Sequence, residues 1–146
     1  MNRLQKLFIP VLGALLLLGN TGFVFAEDDV IHKIVIQVST DDPRTQRIAL
    51  NNAVNLQKLY GMDNILIEIV AYGPGLDLLT KKSKQAKRVE SLAIQDITFN
   101  ACSNTMEKVT KKTGKKPELL SGVGTVKAGV ARIMELQEQG YSYLRP

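Results

Sequence analysis

The chain has 146 residues with 19 basic and 14 acidic side chains, a net charge of +5, one histidine and one cysteine. That length suits a single domain with one substantial core. A lone cysteine excludes an internal disulfide, and a lone histidine with no second soft ligand nearby excludes a metal centre of the usual kind.

Residues 1–26 read as an export signal. Arg3 and Lys6 form a positive start, Leu7–Leu18 is an apolar run, and Val24-Phe25-Ala26 places small residues ahead of a cut after Ala26. The expected mature domain is 27–146, periplasmic or secreted, with no stable membrane insertion after cleavage. Removing Arg3 and Lys6 lowers its net charge to +3.

After an acidic linker, Glu27–Asp29, the chain alternates between two periodicities. Lys33–Val38 is dense in β-branched residues, as a strand buried on both faces is. His32, just before it, reads as a solvent-facing residue. Asp42-Pro43 is a helix-start signal, and Gly61 is the stop. Ala49, Ala53, Leu56 and Tyr60 are the expected inner face of that helix. Ile65–Val70 is a second strand, and Gly73-Pro74-Gly75 turns the chain into Leu76–Leu79. A lysine-rich helix is expected over Ser83–Ala93, with Ala86, Val89 and Ala93 inward.

Ile97–Ala101 is a third strand running into a helix start at Ser103 and Asn104. The helix ends at Thr113-Gly114. Pro117–Leu120 reads as a weak fourth strand. Gly122-Val123-Gly124 reads as the turn that opens the last helix, with Val126, Val130, Ile133 and Met134 inward and Gly140 as its stop. Tyr141–Leu144 is a fifth strand. The expected fold is therefore α/β, a three-layer α-β-α sandwich around a mostly parallel five-stranded sheet.

Cys102 falls where the third strand gives way to a helix. Backbone N–H groups at such a turn, and the helix dipole, favour an anion and so a usable thiolate. A free cysteine is also commonly a small buried hydrophobe, and the local sequence alone favours that second reading. The architecture adds weight to the first, because chemistry in such sheets sits beyond the carboxyl ends of the strands. The loops expected at that edge carry Ser39–Asp42, Tyr72-Gly73-Pro74-Gly75 and Ser121–Gly124. Gly122 and Gly124 can offer N–H groups to an anion, but a dinucleotide or Walker pattern is absent and a tight turn explains them better. No cofactor is expected.

Two lysine clusters, Lys81/Lys82/Lys84/Lys87/Arg88 and Lys108/Lys111/Lys112/Lys115/Lys116, read first as solvated helix faces and second as attractors for an anionic substrate or a membrane surface. They lack the interleaved aromatics of a nucleic-acid platform, and no nucleic-acid partner is expected.

The chain resembles the DsrE/DsrF-like superfamily of small α/β proteins. The resemblance is carried by Asp41-Asp42-Pro43, Ala49-Leu50-Asn51-Asn52-Ala53, Tyr72-Gly73-Pro74-Gly75-Leu76, Phe99-Asn100-Ala101-Cys102-Ser103-Asn104-Thr105-Met106 and the run Gly129–Tyr143. It implies that Cys102 accepts sulfane sulfur as a persulfide, and that the N–H groups of Ser103, Asn104 and Thr105 stabilise the anion. It also implies a homo-oligomer working with a thiol or sulfur-donor protein partner. Two features depart from the relay pattern: the export signal, and the lack of a second cysteine within the chain. The alternative is a non-catalytic periplasmic module that binds a small anionic ligand or only forms oligomers.

Overall fold

The computed structural model describes residues 31–146, so the expected signal and acidic linker lie outside the described residues. Five strands, β1 (His32–Val38), β2 (Ile65–Ala71), β3 (Ile97–Cys102), β4 (Val123–Val126) and β5 (Ser142–Leu144), form one sheet in the order β4-β3-β2-β1-β5. Every pairing is parallel. Four α-helices connect them: α1 (Pro43–Tyr60), α2 (Ala86–Ala93), α3 (Ser103–Thr113) and α4 (Gly129–Glu138). Short 3₁₀ segments precede β2 (Met62–Asn64) and α2 (Gly73–Leu79).

Local chemistry accounts for the helix ends. The Asp42 carboxylate accepts from the Thr45 N–H and hydroxyl, both at 2.7 Å, and Pro43 opens α1 where no N–H is required. At the end of α3, Gly114 takes the left-handed conformation (φ 69°) and its N–H closes on the Thr110 carbonyl.

The strand order decides how the helices are distributed. The chain steps from β1 to β2, β3 and β4 in one direction, and right-handed crossovers taken that way put their helices on one face. That face holds the main core: Ile36, Ile69 and Phe99 pack under Ala49 and Leu50 of α1, Val89 and Leu92 of α2 and Met106 of α3. The last connection runs back across the sheet from β4 to β5, which puts α4 on the opposite face. There Ile133 and Leu136 cover Val35 and Val70 in a small second core. The sandwich has three layers as expected, with one α-helix in its thinner layer.

Several expectations are corrected. Pro117–Leu120 is not a strand of the sheet; Leu119 makes a single antiparallel bridge with Thr80, and the edge strand is Val123–Val126. Gly122 and Gly124 therefore open a strand rather than a helix, at the edge of the sheet opposite Cys102. Gly124 lies beside Asn100, where a Cβ would come within 2.6 Å of the Asn100 side-chain oxygen, so this position must stay small for packing. Helix α4 starts at Gly129, and its buried face is Ile133 and Leu136. Val130 and Met134 are 54% and 57% exposed, because the apolar stripe competed with a face anchored by Arg132. In α1, Gln46, Leu50 and Gln57 are buried where Tyr60 is not. Gln46 and Gln57 reach main-chain carbonyls, of Thr40 and Gln95, which is how amides survive burial. Tyr60 instead meets the His32 ring at 3.8 Å, so His32 is half-buried and not simply solvent-facing.

Candidate functional site

Neighbouring parallel strands β3 and β4 end at the same edge, yet the helices that follow them leave for opposite faces. Such a divergence opens a crevice at the carboxyl edge of an α/β sheet. Cys102, the last residue of β3 and the N-cap of α3, stands in it. Its parity along β3 matches Thr98 and Asn100, which directs the sulfur away from the main core and toward the start of α4. It is 5% exposed and lies outside the main apolar cluster.

Two helix starts converge on this sulfur. Burial pushes the thiol pKa up, but the Thr105 hydroxyl, then the N–H groups of Gly129, Thr105 and Asn104, outweigh it and hold the thiol below its ordinary value. None of these donors caps the neutral thiol with strict hydrogen-bond geometry; they act on the thiolate, which is the stronger acceptor. Asn104 contributes least and also donates its N–H to the Lys127 carbonyl at 3.2 Å, which ties α3 to the loop before α4.

The loop after β2 fixes both donors. Gly73 N–H donates to the Thr105 hydroxyl oxygen at 3.0 Å, leaving that hydroxyl's own proton free to face the sulfur. The Tyr72 ring lies against Gly129 so closely that a Cβ there would sit 3.0 Å from the ring. A larger residue at 129 would have to push the Tyr72 ring or the α4 start by a few tenths of an ångström. The structure thus brings Asn104 and Thr105 to Cys102, and sets Gly73 behind Thr105 and Tyr72 behind Gly129. Ser103 instead lines an adjoining cavity of about 520 Å³ with Met106 and Thr125. Gly122 and Gly124 are not at the site. The polar loop after β1 is occupied with structure: Ser39 accepts from Gln37 and Asp42 caps α1.

No protein-family profile matches the chain, and no curated protein does. Among solved structures, it is similar to a protein of unknown function, MTH1491 from Methanobacterium thermoautotrophicum. The two are 31% identical, the match covers 79% of this chain and 99% of that one, and the TM-score is 0.71. The chain belongs to the family of MTH1491.

In this member of the MTH1491 family, the α4 half of the site rests on a buried ion pair. Glu68, in the middle of β2 and 4% exposed, receives Arg132 of α4 through Nε at 2.9 Å and Nη2 at 2.8 Å. Asn100 of β3 donates to the same carboxylate at 2.8 Å. A carboxylate in an apolar strand requires such partners. The Glu68 hydrogen bonds in turn hold the Arg132 guanidinium above its ordinary pKa. Arg132 lies one turn into α4, so the pair anchors the helix start that carries Gly129. Sequence reasoning missed Gly129, Glu68 and Arg132 as a group. The available signals were a charge inside Ile65–Val70 and an arginine in the apolar run after Gly129.

The arrangement can hold an anion on sulfur. Among the described residues no group of three or more His, Cys, Asp or Glu side chains is placed to hold a metal ion.

Proposed function

We propose that this protein is an exported DsrE-like sulfur carrier in which Cys102 is the nucleophile. The observation that carries the reading is the convergence of two helix starts on one thiol, with four donors lowering its pKa against burial. The Cys102 thiolate attacks the sulfane sulfur of a donor such as thiosulfate. A sulfur–sulfur bond forms on Cys102, the donor's own sulfur–sulfur bond breaks, and sulfite leaves with that electron pair. The persulfide formed is itself an anion, which the same N–H groups stabilise. Because the chain has one cysteine, the terminal sulfur passes to a thiol on another protein, whose thiolate attacks it and releases Cys102. Homo-oligomer formation belongs to this reading, as it does to the resemblance.

The low exposure of the sulfur favours one other reading, a module that holds a small anion with Cys102 as part of the wall. Intact mass separates the two. Reduced protein incubated with thiosulfate or polysulfide gains one sulfur atom under the carrier reading, and Cys102→Ser gains none. No gain from either donor, while Cys102 still alkylates, overturns the carrier reading. Anion-induced stabilisation that survives Cys102→Ser would then favour the module.

A further inference from the structure

One end of each lysine cluster, Lys81 and Lys82 from the first and Lys115 and Lys116 from the second, lies at one cavity. The segment 117–120, which does not join the sheet, runs antiparallel to residues 79–81 instead. Lys81 N–H donates to the Glu118 carbonyl at 2.9 Å, and Leu120 N–H to the Leu79 carbonyl at 3.0 Å. This short ribbon carries Lys81 and Lys82 to the same rim as Lys115 and Lys116. Below the rim, between the 3₁₀ segment and α3, lies a cavity of about 500 Å³ with an apolar floor of Pro74, Leu76, Val109 and Pro117. Its size falls within the range of sites that take small organic ligands. Cys102 is not part of its lining; the cavity meets the thiol site at Gly73, whose N–H holds the Thr105 hydroxyl, and opens away from the sulfur along α3.

We infer that this cavity is a binding site for a small amphipathic anion, with an aliphatic body on the floor and a carboxylate, sulfonate or phosphate head at the lysine rim. Charge decides the head. Lys81 is paired with Glu118 at 2.9 Å, whereas Lys82, Lys115 and Lys116 have no ion pair among the described residues. Asp77 is the one remaining carboxylate in the lining, so the rim stays positive. The floor decides the body. An inorganic anion leaves it wetted, and the absence of aromatic side chains from the lining gives a nucleobase nothing to stack on.

The probe is octanoate below its micelle concentration, added to the protein recovered from expression of the full chain and followed by amide NMR. Saturable shifts centred on Leu76, Val109 and Lys116 are expected. Lys115→Gln with Lys116→Gln weakens binding about fivefold, the scale of two partly screened ion pairs. Asp77→Asn tightens binding, a gain that misfolding cannot imitate. Octanol, with the same chain and no charge, binds more weakly than octanoate.

Three results overturn the inference: inorganic phosphate reproducing the Leu76 and Val109 shifts, the lysine variant binding octanoate as tightly as the parent, and binding to phosphatidylglycerol vesicles with none to monomeric octanoate. None of these bears on the thiol, and a failed sulfur transfer leaves this site untouched.

Discussion

Replacing Arg132 with methionine leaves the Glu68 carboxylate buried with Asn100 as its remaining side-chain partner. The variant loses two charge-assisted hydrogen bonds, of 2.9 and 2.8 Å, to a group only 4% exposed. Breaking a fully buried pair costs about 3–5 kcal/mol. The Arg132 side chain is 29% exposed, so water partly reaches the carboxylate in its place and the low end, about 3 kcal/mol, is expected here. Adding Glu68→Gln removes the stranded charge while keeping an acceptor for Asn100. The double variant should therefore recover about half of the loss, the remainder being an amide that is not fully satisfied. Urea unfolding of the parent, both single variants and the double variant measures the cycle, with unchanged m-values as the condition for comparison. A cost below about 1 kcal/mol for Arg132→Met would mean that the pair behaves like an exposed one. A double variant no more stable than Arg132→Met would mean that charge is not what the guanidinium supplies. Either result refutes the account of α4 as a helix held by a buried charge pair.

Three further outcomes follow from the thiol's surroundings. The rate of iodoacetamide alkylation of Cys102 should titrate below the range of an ordinary cysteine, and Thr105→Val should move the midpoint upward and slow the reaction severalfold at neutral pH. Since the folded thiol titrates below its unfolded value, it adds stability that is fully present above the unfolded pKa and is lost as pH falls through the folded one. Unfolding measured for the parent and for Cys102→Ser should therefore diverge in the parent's favour as pH rises through that window; parallel curves would refute the shift. Gly129→Ala forces a Cβ to 3.0 Å from the Tyr72 ring and should cost about 1–2 kcal/mol while slowing alkylation, since the N–H must withdraw from the sulfur. Unchanged alkylation in that variant would remove Gly129 from the site.

The legible part of the fold was the part written in periodicity and end signals. Lys33–Val38, Ile65–Val70 and Ile97–Ala101 are central strands, and buried β-branched runs have few other options. Asp42-Pro43 and Thr113-Gly114 mark helix ends by local chemistry that tertiary contacts rarely overrule. The segment from 117 to 128 was misread for the opposite reason. Pro117–Leu120 and Val123–Val126 are both short and weakly apolar, and which one joins the sheet depends on β3, whose register no local signal reports. That shift also moved the start of α4, and with it the site: Gly122 and Gly124 dropped out and Gly129 came in. Cys102, Thr105, Tyr72 and Gly73 could be found because they flank strand ends. Glu68 and Arg132 could not be paired, because their contact is made through the one connection that reverses across the sheet.

That reversal also separates the short chain closures of the sheet from its long ones. Contacts from β1 through β4 link successive pieces of chain, and such short closures cost the least chain entropy. Helix α4 and β5 instead seat against residues near the opposite end of the domain, Ser142 beside Ile34 and Leu144 beside Ile36, the longest closures in the sheet. Until those closures form, Cys102 stands at a single helix start, without the Gly129 N–H. The Gly129 half of the thiol's surroundings thus depends on the longest closures in the sheet, and a protein in which α4 is undocked is expected to alkylate at Cys102 more slowly than the parent.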